Sequence, residues 1–195
     1  MIRVELSQVN PYEEWLQSEG IPVVRGFFIE DVNTLERGKW PRTEGFGAHI
    51  NVDGSAEITS AYVCEIPPGR SLNPQKYLFE EFIYVLSGSG ATSVWNEGGR
   101  KQTFEWGEGS LFAIPLNAWR QHFNGSGSKP SRFLAVTNAP LVINFFRNLD
   151  FVFNNPFVFQ DRYSAEEDFW ISQGKVGYVG VRRNIWETNF VPDLR

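Results

Sequence analysis

Two stretches of the chain set polar and ionisable side chains at fixed distances from turn residues. The first runs from Gly69 through Gln75, Tyr77 and Glu81 to Gly88. The second runs from Gly109 through Pro115, Asn117 and Arg120 to Asn124. Divalent transition metals favour neutral imidazoles with a carboxylate, and these residues supply the carboxylate alone. Gln75 offers a weakly ligating amide. Tyr77 ligates only as a phenolate, with a reference pKa of about 10. Arg120 is a permanent cation with donors and no acceptor. His122, one of two histidines, stands two residues after Arg120, so on a strand the two share a face. It is a candidate acid/base group or displaced ligand, and its plainer reading is a hydrogen-bonded core histidine.

The elements that must position these residues are short. Asn10, Pro11 and Glu13 form an N-cap, N1 and capping-box signature, and Gly20 is a stop, predicting a short helix with Trp15 and Leu16 on its apolar edge. Val23 to Ile29 reads as a strand, and Trp40 to Gly47, with a Pro and two Gly, as a loop. His49 stands at the loop-to-strand entry as a structural residue. Ile58 to Ile66 is a strand ended by Pro67-Pro68-Gly69, with Cys64 as a small buried hydrophobe. Glu81 to Leu86 is a strand, with Glu80 on its outer side. Ala91 to Asn96 and Lys101 to Trp106 flank Glu97-Gly98-Gly99, a hairpin signal. Leu111 to Ile114, Arg120 to Phe123 and Phe133 to Thr137 follow. Many short strands between turns predict a sandwich or barrel, and no long helical period supports a parallel α/β fold. Trp95, Trp106 and Trp119 read as packing residues near the barrel ends. Further on, an apolar, aromatic run from Asp150 to Phe159 is broken by Asn154-Asn155-Pro156. Ser164 and Glu167 form a second capping box, predicting a helix to about Gln173 with Gly174 as its stop. Trp186 to Arg195 reads as a linker strand.

The length of 195 residues suits one domain with extensions. Seventeen Phe and seven Trp are ample for a core, and part of that load suits a cavity or interface. The net charge of −5 and the absence of a Lys/Arg run longer than a pair exclude a nucleic-acid footprint. One cysteine, Cys64, excludes an internal disulfide and a Cys-based zinc cluster. The N-terminus lacks an apolar signal core, and no apolar run approaches membrane-span length, so the expected setting is cytoplasmic.

The two spaced stretches resemble the paired signature motifs of the cupin superfamily, over roughly Ile58 to Thr137. The resemblance implies an all-β, cupin-type jelly-roll barrel, here with short flanking helices at both ends. The expected division is residues 1–48 as an N-terminal arm, 49–140 as the barrel and 141–195 as a C-terminal extension. Asn117 stands where the family usually has Gly, and Asn is the next best residue at positive φ. Gln75, Tyr77 and Arg120 stand where cupins usually place metal-binding histidines, so only Glu81 of that ligand set is kept.

The resemblance brings these four positions together at the family's metal centre. There the Arg120 guanidinium would pair with Glu81, with Tyr77 and Gln75 in hydrogen-bond range. The expected function is a cupin-fold protein with no metal or other cofactor. It binds a small carboxylate or aromatic ligand through Gln75, Tyr77, Glu81, Arg120 and His122, or serves a structural role. The alternative is a dioxygenase, decarboxylase or isomerase with an off-pattern metal site or metal-free acid/base chemistry by His122 and Tyr77. The size and long extension also resemble the N-terminal half of a two-cupin protein. A homodimer is expected, with Val23 to Ile29 crossing to a partner or covering its own sheet edge.

Overall fold

The computed structural model describes residues 10–55, 58–161, 166–171, 174–178 and 184–195. It opens with helix α1 (Pro11–Glu19). The strands are β1 (Val23–Gly26), β2 (Gly38–Trp40), β3 (Gly45–Val52), β4 (Ser60–Ile66), β5 (Glu81–Ser87), β6 (Ser89–Trp95), β7 (Gln102–Gly107), β8 (Leu111–Ile114), β9 (Trp119–Asn124) and β10 (Ser131–Thr137). Two helices, α2 (Ala139–Phe146) and α3 (Leu149–Asn154), precede β11 (Lys175–Tyr178), β12 (Asn184–Glu187) and β13 (Phe190–Val191).

The large sheet runs β1-β3-β4-β10-β5-β8-β13, with β2 on β3, and a smaller sheet runs β7-β6-β9. Inward residues of both, among them Ile83, Val85 and Phe133 from one and Val94, Phe104 and Trp106 from the other, join in one core cluster. This is the two-sheet jelly roll that the strand pattern and the cupin resemblance imply. Backbone contacts seal β9 to the loop before β5: Leu72 N donates to His122 O at 2.9 Å, and Gln75 and Arg120 exchange both amide bonds at 2.9 Å. Glu81 on the large sheet thereby faces Arg120 on the small one.

Local signals explain the frame. Asn10 caps α1 by accepting from Tyr12 N and Glu13 N, and Gly20 ends the helix at φ 69°. Glu13 does not complete the capping box in the expected way: its carboxylate binds Arg25 on β1 at 2.5 Å. Gly88 turns β5 into β6 at φ 83°, where a Cβ would lie 2.6 Å from Ser131 Oγ. Asn117 has φ 57°, as its place in the second motif requires. A second apolar cluster caps one end of the barrel, built from Tyr12, Trp15 and Leu16 of α1, Tyr77 and Phe79, Ala139 and Ile143 of α2, and Val152 of α3.

Several expectations need correction. Val23 to Ile29 is strand only as far as Gly26, and it pairs in parallel with β3, so it covers its own sheet edge. Trp40 to Gly47 is no loop: β2 and β3 form a hairpin across a tight turn, with Glu44 at φ 62°. His49 lies inside β3 and is 2% exposed. The apolar, aromatic run from Asp150 to Phe159 overlaps helix α3, and α2 lies before it where no helix was expected; β-prone residues concealed both. The expected helix from Ser164 to Gln173 begins and ends outside the described residues; within it, Glu167–Trp170 is a 3₁₀ turn. Trp186 to Arg195 does not run off as a linker: β13 pairs with β8, and Ser110 Oγ donates to Pro192 O at 2.6 Å. Among the described residues, no helix is long and apolar enough to cross a membrane.

Candidate functional site

Glu81 opens β5 with its side chain fully buried, while Glu80 beside it is exposed, as strand alternation requires. Two phenols converge on one carboxylate oxygen. Tyr77 donates to Glu81 Oε1 at 2.5 Å, and Tyr62, reaching in from β4, donates to the same oxygen. The other oxygen, Oε2, faces Arg120 Nε at 3.6 Å and has no hydrogen-bond partner. The expected pair is therefore present as a charge contact, while the phenols make the hydrogen bonds. Arg120, 3% exposed, lies flat against Tyr77, its guanidinium carbon 3.4 Å from the ring centroid. Tyr77 stacks in turn on Phe79 at 3.7 Å. The ring thus contributes a face to the cation and a hydroxyl to the anion.

Burial disfavours charge on every member of this group. It raises the Glu81 carboxyl to about 7, against the lowering effects of the Tyr62 hydrogen bond and the Arg42 charge. It lowers Arg120 to about 9 and lifts the Tyr62 phenol well above its ordinary value. His122 shares the inward face with Arg120, as expected, and burial with the Arg120 charge depresses it to about 3. Its Nδ1 lies 2.8 Å from Thr92 Oγ1, which also accepts from the Trp106 indole at 2.8 Å. With the indole donating to it, the Thr92 hydroxyl can give its own proton to Nδ1, which matches a neutral ring protonated at Nε2.

Gln75 departs from expectation. Its side chain does not turn to Glu81 but accepts from Arg42 Nη1 at 2.7 Å. Arg42 comes from the β2–β3 turn, which read as loop, and it closes the end of the barrel. Its Nε binds Glu19 Oε2 of α1 at 2.7 Å, and its guanidinium packs over Trp40, Trp15 and Phe153 at 5.0, 5.6 and 5.5 Å. Two residues of the centre thus escaped the sequence reading. Tyr62 had a usable signal, since it is two residues before Cys64 on a recognised strand and shares its inward face. Arg42 had none, because its partners lie 23 and 33 residues away.

The space inside is small. A cavity of about 10 Å³ is lined by Tyr62, Cys64, Asn73, Gln75, Arg120, His122 and their apolar neighbours, and a second of the same size by Arg42, His49, Ser60, Tyr62 and Tyr77 among others. Each is about the size that holds one water molecule. Arg120 Nη1 and His49 Nε2 are buried polar atoms without a partner, and these residues border the first and second cavity respectively. Cys64, whose thiol burial pushes up, is a core residue, and Trp106 is too. Trp95 and Trp119 stack on each other at 6.2 Å on β6 and β9.

The metal that the cupin resemblance implies does not fit these donors. Among the described residues, no three His, Cys, Asp or Glu side chains are grouped to hold an ion. The position opposite Glu81 is filled by a cation, and His122 Nδ1 is committed to Thr92.

Fold and centre together define a jelly-roll barrel organised around a buried carboxylate, two phenols and a guanidinium. No family model matches the sequence, and no curated protein matches it significantly. Solved structures do resemble it. Oxalate decarboxylase from Lactobacillus farciminis, in a formate complex, is 27% identical over 55% of this chain and 32% of its own, with a TM-score of 0.47. Bacillus subtilis oxalate decarboxylase, in a study of its Mn(II) centres, is 20% identical over 53% of this chain and 27% of its own, with a TM-score of 0.45. The matched region thus spans about a third or less of those chains.

Proposed function

We propose that this chain is a metal-independent cupin domain whose central positions serve as a charge-balanced structural core. The observation that carries this reading is the Glu81 carboxylate held by Tyr62 and Tyr77, with Arg120 at 3.6 Å in the place of a metal. A buried carboxylate that loses its metal must be paired or protonated, and Arg120 with the raised Glu81 pKa meets that need in both ways. The water-sized interior supports a structural role over a bound substrate in this closed arrangement. Acid/base catalysis by His122 is poorly supported, since a ring depressed to about 3 and tied to Thr92 is a weak base at neutral pH.

A second reading rests on one atom. Arg120 Nη1 is buried and unpartnered beside a cavity. A small carboxylate would satisfy it through a charge-assisted bond, provided that Arg42 releases Gln75 and opens the barrel end.

The test is metal content after purification without chelator. Far less than one iron, manganese, nickel or zinc per chain is expected, and stoichiometric metal sinks the proposal. Replacing Gln75, Tyr77 and Arg120 together by His should create metal binding if these positions converge as the cupin resemblance implies.

A further inference from the structure

Helices α2 and α3 and the segment after them bury one side against the barrel and leave the other apolar and, among the described residues, uncovered. Phe145 is 76% exposed, Phe157 60% and Leu141 48%, while Phe146, Leu149 and Phe151 lie between 41% and 43%. The rings are set against one another. Phe145 stands edge-on to Phe146 at 5.1 Å, and Phe146 meets Phe151 at 4.8 Å. Beside them lies a groove of about 540 Å³ lined by Leu78, Leu116, Phe146, Phe151, Phe157 and Phe159, with Asn155 as its one polar residue. That volume is within the range that encloses small organic groups. One face therefore carries a projecting ring next to an apolar hollow.

The extent and charge of the face narrow its occupant. With roughly 150–250 Å² for each fully exposed aromatic side chain, the four phenylalanines present on the order of 350–550 Å² of apolar surface, and Leu141 and Leu149 add to it. That is the upper end for a patch on a monomer, and it is most of the roughly 800 Å² that each partner contributes to a standard interface. Residues 139–161 contain one Arg and two Asp and no Lys, so the face lacks the cations that attract nucleic acid or an anionic membrane. A knob adjoining a hollow is self-complementary under two-fold rotation, because each copy then supplies what the other lacks.

We propose that a second copy of this chain docks on this face about a two-fold axis, each copy's Phe145 seated in the other's groove against Phe146 and Phe151. The proposal is independent of the metal-free reading. It is tested by sedimentation velocity on the full chain from low to high micromolar concentration. A dimer is expected. Phe145→Asp should raise its Kd by about 30-fold or more, the loss that follows removal of a central aromatic anchor. Phe145→Gln, which adds no charge, should weaken it less. Phe27→Asp serves as the control, since Phe27 is 83% exposed on the loop after β1 and takes no part in the groove. Circular dichroism confirms that each variant folds. The proposal is overturned by a monomer at every concentration, by a dimer that Phe27→Asp disrupts and Phe145→Asp spares, or by assemblies that grow with concentration without closing at two.

Discussion

Two arginines of this barrel hold aromatic rings and carboxylates in opposite ways. Arg120 is 3% exposed, lies against one ring, and meets its carboxylate at 3.6 Å without a hydrogen bond. Arg42 is 27% exposed, packs among three rings, and makes bonds of 2.7 Å to Glu19 and Gln75. The better geometry is at the barrel end and the looser one is inside. Bond length is nonetheless a poor guide to their worth. Arg42 is partly exposed, and Trp40 Nε1 still donates to Glu19 Oε2 if it is lost, whereas the Glu81 charge would keep its two phenols and no cation in a dry interior. Removing the poorly bonded arginine should therefore do more harm.

The largest effect is expected from Arg120→Ala at a pH above the Glu81 value of about 7, where it should destabilise by about 3–5 kcal/mol because it strands a buried carboxylate. Urea denaturation measures this. Arg120→Met combined with Glu81→Gln should recover most of the loss, since the cost lies in the orphaned charge. A single variant that unfolds at the wild-type midpoint removes the pairing from the account of this core.

The next effect appears in pH dependence. Between about 4.5 and 6.5, the ordinary values of Glu and His, the unfolded chain carries protons on His49 and His122 and none on Glu81. In the folded chain both histidines are depressed to about 3 and stay neutral, while Glu81, raised to about 7, keeps its proton. The histidine contributions are thus lost as pH falls, and the Glu81 contribution is lost as pH rises. Of these three groups, unfolding takes up one proton net, so they make stability rise with pH by about 1.4 kcal/mol per unit. Glu81→Gln removes the opposing member and should steepen that slope by about the same amount. Stability curves across this window with an unchanged slope would show that Glu81 is ionised in the folded barrel.

The smallest energetic effect belongs to Arg42→Ala. Glu19 is only 8% exposed, but Trp40 Nε1 still donates to its Oε2 once Arg42 is gone, so the loss should be about 1–2 kcal/mol, less than for Arg120. Its sharper signature is access. Cys64 is the chain's one cysteine and borders the inner cavity, so its reaction rate with a thiol reagent reports opening of the barrel. Arg42→Ala should speed that reaction several-fold with a smaller fall in unfolding midpoint than Arg120→Ala. Equal rates in both proteins would mean that the barrel opens elsewhere.

What the sequence disclosed of this arrangement follows a physical divide. Turn residues with enforced backbone angles, such as Gly88 and Asn117, mark the motif strands locally. Strand alternation then placed Glu81, Arg120 and His122 inward. The side-chain partner of Gln75 was not foreseen because Arg42 reaches it from a different hairpin, a meeting that no local period records. Helices α2 and α3 were missed because Phe, Val and Ile suit strands as well as helices over so few residues, and packing against α1 decides the matter.

The edges of the large sheet carry a consequence beyond the site. One edge is β1, four residues long and paired in parallel, and the other is β13, two residues long. Short edges give an incoming strand little to extend, so the large sheet of the folded barrel resists strand addition at its ends. Between them they cover longer strands, β3 on one side and β8 on the other. If β13 frays from Leu111 and Phe112, it uncovers an apolar edge. Protection of that edge of the large sheet thus rests on a two-residue strand.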